Sequence, residues 1–259
     1  MTLAFAVTLV GLGFIGAFIS GLVGVGGAII MIPLLLYVPP LLAVGSLDIK
    51  LVAGATMTQV LVASLIGAWT HGRKAMVHRS LAVTGGIAMA LGSLIGAVAS
   101  RYVTGEVLLA MFALMTTLAL PLMFVPTTQT MASGPEGPFS RIAAIAYPGT
   151  IGIMSGMVGA GGAFLLVPVL IAFMGIPVRL TIGTSLAMTG VSASMGFLGK
   201  LLTAQVPFWP AVALVVGSVS GAPLGAAMSR LLPVGVLRTV LALLIALVAI
   251  RVWADLLLR

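Results

Sequence analysis

The chain has 259 residues, 61% of them hydrophobic and only 6% charged, and its mean hydropathy of +1.31 leaves too little polar surface for a water-soluble fold. The net charge of +8 is spread mostly as single Lys and Arg residues at the ends of apolar runs, which weighs against nucleic-acid binding and suits a membrane interface.

In chain order, the first apolar run covers residues 3–23. No basic residue precedes it and it passes straight into a glycine-rich phrase, so it is expected to stay in the mature protein rather than be cleaved. That phrase, GLVGVGGAIIMIPLL from Gly21, carries Gly24, Gly26, Gly27 and Pro33 and leads into a run over 28–45. A third run, 49–70, holds Thr56, Thr58 and Gln59. The basic loop HGRKAMVHR, from His71 to Arg79, precedes runs over 80–100 and 105–125. PTTQTMASGPEGPFS, from Pro126 to Ser140, is a long polar passage with Pro and Gly, and reads as a linker. Beyond it lie runs over 142–160 and 163–177, bridged by a second phrase, GMVGAGGAFLLVPVL from Gly156. The last three runs are 180–200, 207–229 and 234–258, the first of them carrying Thr184, Ser185, Thr189, Ser192 and Ser194. Since about 20 apolar residues cross a hydrocarbon core, the chain accommodates roughly eight to ten passes. A transmembrane barrel would alternate lipid-facing and lumen-facing residues, which these runs do not, so the expected class is an all-α polytopic membrane protein.

The two glycine phrases are copies. Ser20 pairs with Ser155, Gly24 with Gly159, Gly26 with Gly161, Gly27 with Gly162 and Pro33 with Pro168, all at an offset of 135 (159 − 24). The repeat resumes at 129 (183 − 54), pairing Gly54 with Gly183, Gly67 with Gly196, Gly92 with Gly221, Gly96 with Gly225, Ser100 with Ser229 and Arg101 with Arg230. The expected organisation is a first repeat over 1–125, a linker over 126–141 and a second repeat over 142–259. Five segments per repeat is an odd number, so the halves enter the membrane from opposite sides as an inverted repeat. If each phrase instead interrupts a helix that crosses once, the halves have four passes and run parallel. With the basic loop taken as cytoplasmic, both arrangements put seven Lys and Arg inside against five outside, so charge does not choose between them. Runs 3–23 and 28–45 are each just long enough to cross, which favours the inverted form.

A Gly-x-Gly-Gly break frees backbone groups that hydrocarbon cannot satisfy, so it belongs where it is buried in protein or lines a watered cavity. Helices restarting near Ala28 and Ala163 would aim unpaired N–H groups and positive dipole ends at the breaks. Two such ends meeting near the midplane make a site for a small anion without a buried Lys or Arg. The expected substrate-binding set is Gly24, Gly26, Gly27, Ala28, Gly159, Gly161, Gly162 and Ala163, joined by the donors Thr56, Gln59, Thr184 and Ser185. Structural readings compete. GxxxG spacing, as in Gly92–Gly96 and Gly221–Gly225, is first a packing motif. A membrane Ser or Thr most often bonds the carbonyl four residues back in its own helix. Gln59 differs, because a helix interior cannot absorb both its amide donors.

Other chemistries lack their residues. There is no cysteine, hence no disulfide or thiolate, and His71 and His78 have no further ligands nearby to complete a metal site. The carboxylates Asp48, Glu106, Glu136 and Asp255 fall at segment ends or in the linker, so no mid-membrane proton relay or carboxylate sodium site is expected. No catalytic triad, carboxylate pair or nucleotide loop is assembled, and neither enzyme activity nor a cofactor is expected. Lys200 reads as an interfacial lysine that snorkels.

The phrases over Gly24–Pro33 and Gly159–Pro168, the segment IGTSLAMTGVSAS from Ile182 and the pattern GAPLGAAMSRLLPVGVLR from Gly221 together resemble the TauE/SafE family, often called the sulfite exporter family, over essentially the whole chain. The resemblance implies transport of small sulfur-containing anions such as sulfite, thiosulfate or sulfoacetate, commonly outward, across a bacterial inner membrane. It carries a substrate role onto Thr184 and Ser185 more directly than onto Thr56 and Gln59, because the first half reads AGATMTQV where the second has the more typical GTSL. The other readings are an importer or channel for another small anion, and a noncatalytic scaffold subunit. Expected partners are the anion and the lipid bilayer, with no nucleic acid; exposed apolar faces are compatible with a homo-oligomer.

Overall fold

The computed structural model describes residues 2–23, 28–71, 77–122, 139–229, 231–232 and 234–257. The described residues form helices and connecting turns, with no strand. Ten helices follow one another: α1 Leu3–Val23, α2 Ala28–Leu41, α3 Ile49–His71, α4 Arg79–Ala99, α5 Gly105–Leu122, α6 Arg141–Val158, α7 Ala163–Met174, α8 Val178–Leu202, α9 Phe208–Ser229 and α10 Val234–Leu257. Every helix starts within two residues of the run read from the sequence. Six of them, α1, α3, α4, α5, α9 and α10, are long and apolar enough to cross a membrane.

One expectation about length is corrected. α2 stops at Leu41, giving 14 residues or about 21 Å, too short to cross a hydrocarbon core of about 30 Å alone. Pro39 and Pro40 remove two backbone donors at its end, and the chain turns through Ala43 at φ 54°, held by Val44 N–H on the Pro39 carbonyl at 3.1 Å. α7 is shorter still, at 12 residues. α2 folds back along α1, with Met31 against Gly16 and Gly45 against Phe5, so the two make an antiparallel hairpin.

Glycine contacts give the helix directions. Phe14 and Phe18 of α1 meet Gly221 and Gly225 of α9 in the same order, so these helices are parallel. Ala144, Gly152 and Gly156 of α6 meet Gly85, Met89 and Ser93 of α4, again in parallel. Thus the first helix of each half packs on the fourth helix of the other half, and the halves interlock. α3 and its repeat counterpart α8 run antiparallel, because Met57 meets Gly196 while Ser64 meets Gly190. Two halves running in parallel would align α3 with α8; the observed directions are consistent with an inverted repeat.

α4 shows why this is a membrane fold. Val83, Ile87, Leu91 and Ile95, four residues apart, form an outward stripe more than half exposed, whereas Gly85, Met89, Gly92, Ser93 and Gly96 are buried. Apolar side chains face out and small residues face in, which suits lipid outside and close helix contact inside. A β-carbon at Gly96 would stand 2.8 Å from the Ile153 backbone carbon and 3.0 Å from its Cα. The GxxxG positions therefore pack. Gly96→Leu or Gly221→Leu should cut the recovery of folded protein severalfold, checked by monodispersity of the detergent-solubilised chain on size exclusion.

Candidate functional site

The second break is a four-residue turn at the tip of the α6–α7 hairpin. Gly159, Gly161 and Gly162 have φ of 81°, 64° and 77°, left-handed values that a side chain strains. Gly159 and Ala160 both donate their N–H to Ser155 O, at 2.8 and 2.9 Å, which closes α6. Gly162 is the N-cap of α7; its carbonyl accepts from Leu165 and Leu166, and no side chain caps this helix end. The N–H groups and positive dipole end of α7 are thus presented within the fold rather than at its surface. Ala160, Ala163 and Phe164 are fully buried. Gly24, Gly26 and Gly27, the corresponding part of the first break, lie outside the described residues; Ala28 is fully buried as the first residue of α2.

The turn lies against the middle of the bundle. Gly159 abuts the Ala53 backbone, and a β-carbon at Gly161 would stand 2.5 Å from Val60 Cγ1 and 3.4 Å from Thr189 Cγ2. Ala53 and Val60 lie about 6 and 16 Å along α3 from its start, the second of them at the middle of that helix. At this level α3, α4 and α8 bury an unusual set of polar atoms. Thr56 Oγ1, both Gln59 amide atoms, Ser64 Oγ, Ser93 Oγ, Thr189 Oγ1 and Ser192 Oγ are buried and have no hydrogen-bond partner. Leaving such a group unpaired costs about 1–3 kcal/mol, and in lipid there is no bulk water to offset it. Thr56, Gln59 and Ser64 share a face of α3; Ser185, Thr189 and Ser192 share a face of α8. Gln59 also faces the first hairpin, with Nε2 3.5 Å from where a β-carbon of Gly16 would stand, beside Met31.

The predicted donors separate into two groups. Thr56 and Gln59 belong to the unpartnered set. Thr184 is buried but occupied: its hydroxyl donates to Leu180 O at 2.7 Å and accepts the His78 N–H at 3.0 Å, tying the entry of α4 to α8. Ser185 is buried one residue further on. Thr58 and Ser194 bond their own helix, to Gly54 O at 3.0 Å and Gly190 O at 2.9 Å. Ser64 and Ser93 escaped the sequence reading; Ser93 was hidden inside the Gly92–Gly96 packing motif. His78 is the N-cap of α4, its Nδ1 accepting the Leu81 N–H at 3.3 Å, edge-on to Phe139. Arg73 and Lys74 lie outside the described residues.

Lys200 corrects an expectation. It is fully buried, with Nζ donating to Ser100 Oγ at 2.7 Å, Met157 O at 2.9 Å and Gln205 Oε1 at 3.0 Å, instead of snorkelling. Three neutral oxygens inside the bundle match its three donors, which removes the reason to reach for the interface.

A cavity of about 480 Å³ opens elsewhere, among the ends of α2, α3, α5 and α10, and is lined by Asp48, Glu106 and Asp255. Tyr37 donates to Asp255 Oδ2 at 3.3 Å, and the Arg251 guanidinium lies 4.6 Å over the Tyr37 ring. Carboxylates line this mouth, whereas the uncapped α7 terminus and the α3–α4–α8 seam present the neutral hydrogen-bond donors that suit an anion. Among the described residues no group of three or more His, Cys, Asp or Glu is placed to hold a metal.

Comparison with known proteins agrees with this architecture. A family model described as "Sulfite exporter TauE/SafE" matches residues 9–252. A "probable membrane transporter protein" of Xylella fastidiosa strain Temecula1 is 30% identical, with 99% of each chain covered. The "probable membrane transporter protein YunE" of Bacillus subtilis strain 168 is 24% identical, covering 86% of this chain and 88% of the relative. No solved structure matches. With a match running nearly from end to end of a multi-pass helical bundle, the chain belongs to the TauE/SafE sulfite exporter family of membrane transporters.

Proposed function

We propose that this chain exports a small sulfur-containing anion, such as sulfite, thiosulfate or a sulfonate like sulfoacetate, across the bacterial inner membrane. The observation that carries the reading is the seam of unpartnered buried donors on α3, α4 and α8 beside the uncapped start of α7. Hydroxyls, the Gln59 amide and helix N–H groups pair with an oxyanion's oxygens and bring no fixed cation to hold it too tightly. The half-sites come from both repeats, 1–125 and 142–259, joined by 126–141, so that movement at the two glycine breaks exposes the seam to each side in turn. Gly24, Gly26, Gly27 and Ala28 supply the first break in this reading, with Gly159, Gly161, Gly162 and Ala163 supplying the second. Thr184 and Ser185 contribute from α8, Thr184 on condition that it releases His78.

The end bearing Arg79 and Arg141, where α4 and α6 start, is the cytoplasmic end in this reading; Asp48, Glu106 and Asp255 lie at the other. An inside-negative potential then drives a monovalent anion outward without a coupling ion, at about 2.3 kcal/mol per 100 mV, or about a 50-fold concentration ratio at equilibrium. The test is flux of labelled sulfite, thiosulfate, sulfoacetate and sulfate in proteoliposomes under potentials of each sign. Saturable flux that follows the potential is expected. Flux indifferent to reversal of the potential removes the electrogenic mechanism, and no flux of any of the four removes the substrate class.

A further inference from the structure

Lys200 belongs to none of the anion chemistry above, yet the fold goes to some length to bury it. It lies near the end of α8, and its Nζ reaches across to the last turn of α6 just ahead of the Gly159–Gly162 turn. Its oxygens come from three places in the chain: Ser100 Oγ at the C-cap of α4, the Met157 carbonyl of α6, and Gln205 Oε1 beyond α8. Ser100 and Gln205 are themselves held. Ser100 Oγ lies 2.6 Å from the Ala97 carbonyl, Gln205 Nε2 donates to Thr203 Oγ1 at 2.8 Å, and the Gln205 backbone N–H donates to Lys200 O at 2.9 Å. The Nε2 bond to Thr203 fixes which end of the Gln205 amide faces the ammonium. Lys50, at the same end of the bundle, spends its ammonium on Arg101 O at 3.0 Å and contributes no oxygen to Lys200.

The carbonyl end of α6 carries the negative pole of its dipole, and in a helix that stops inside a membrane its final C=O groups have no intrahelical partner. In transporters built from discontinuous helices, such ends are where a dissociable cation is coordinated. Here the position is taken by an amine covalently part of the chain. All three of its donors are used, so none remains for a transported anion.

We propose that the Lys200 ammonium is a tethered counter-ion filling a monovalent-cation site built by Ser100 Oγ, Gln205 Oε1 and the Met157 carbonyl, so that the α6–α7 break holds its shape without a dissociable cation. The ligand class of the site, once the amine is removed, is a small monovalent cation of the ammonium type. The 129-residue register sets His71 opposite Lys200 and Ser229 opposite Ser100, so the first half carries a different base at the matching position of its third helix.

Lys200→Ala tests this directly, with methylammonium as the probe. Thermal unfolding of the purified variant is followed in detergent while methylammonium replaces N-methylglucamine at constant ionic strength. The expected result is a midpoint below that of the wild type that recovers saturably with methylammonium, while the wild type and Lys200→Arg do not respond. An equal response in all three proteins, no response in the variant, or a variant that cannot be recovered folded even when purified in methylammonium overturns the proposal. A second arm uses the wild-type chain: replacing all alkali cations by N-methylglucamine on both sides of the proteoliposome should leave anion flux within about twofold, and a loss of about tenfold or more, roughly 1.4 kcal/mol of activation free energy, overturns it. The unfolding arm contains no transported anion, so it stands or falls separately from the assignment of the substrate.

Discussion

Gly162→Leu is expected to abolish anion flux while the protein still inserts, and Gly162→Ala to lower flux about tenfold or more. Gly162 adopts φ 77°, where an L side chain costs about 1–2 kcal/mol, and it is the N-cap whose carbonyl starts α7. Any β-carbon there meets Met89 Cε at 2.7 Å and Ile151 Cγ2 and Ser155 Oγ at 2.9 Å. Met89 swings aside cheaply; Ser155, whose carbonyl closes α6, does not. Overpacking by a Leu adds about 1–3 kcal/mol, and the Gly159–Gly162 turn beside the proposed site is what deforms. The control is Gly11→Ala on the exposed face of α1, where nothing stands within 4 Å of the new methyl; it should be neutral or stabilising by about 0.5–1 kcal/mol. Flux and the folded fraction are measured on the same preparations. Loss of flux in step with loss of folded protein would assign Gly162 to packing alone.

Gln59→Leu should separate stability from function in the opposite sense. Both amide atoms of Gln59 are buried without a partner, so an apolar side chain of similar size removes a desolvation penalty of about 1–3 kcal/mol. The membrane discounts this, since interhelical polar terms there average nearer 0.6 kcal/mol, but the sign stays the same. The unfolding midpoint should rise, by ~2–4 °C per kcal/mol in a chain of this size. Anion flux should fall about 100-fold, because the amide offers two donors at the centre of the seam and Leu offers none. A variant that is less stable and equally active would show the amide to be structural. Thr184→Val is the contrasting case: its hydroxyl already serves Leu180 and His78, so stability is expected to fall with it.

What could be read from the sequence follows how local each cause is. Apolar length and the glycine phrases act over a few residues, and every helix start was legible from them, whereas the early stop of α2 at Pro39–Pro40 was hidden inside an apolar run over 28–45. The duplicated phrases were legible too, since Gly24, Gly26 and Gly27 repeat at Gly159, Gly161 and Gly162 whatever the packing. Donor availability was not. Thr184 and Thr56 look alike as membrane threonines, yet Thr184 donates to Leu180 O in its own helix and accepts the N–H of His78, 106 residues away in the chain, while Thr56 Oγ1 finds no partner. Lys200 looked like an interfacial lysine for the same reason, because Ser100 and Met157 are 100 and 43 residues distant.

The sequence by itself therefore determined an all-α membrane protein of ten apolar runs with two copies of one glycine phrase, because hydrophobic length and local repetition are properties of short segments. Only the tertiary structure decided that α1 packs on α9 and α6 on α4, that Gln59, Ser93 and Thr189 are left with unpartnered polar atoms, and that an ammonium closes the end of α6. Those outcomes depend on which surfaces meet across the bundle, and a polar group's energy in lipid is set by the neighbour it finds there.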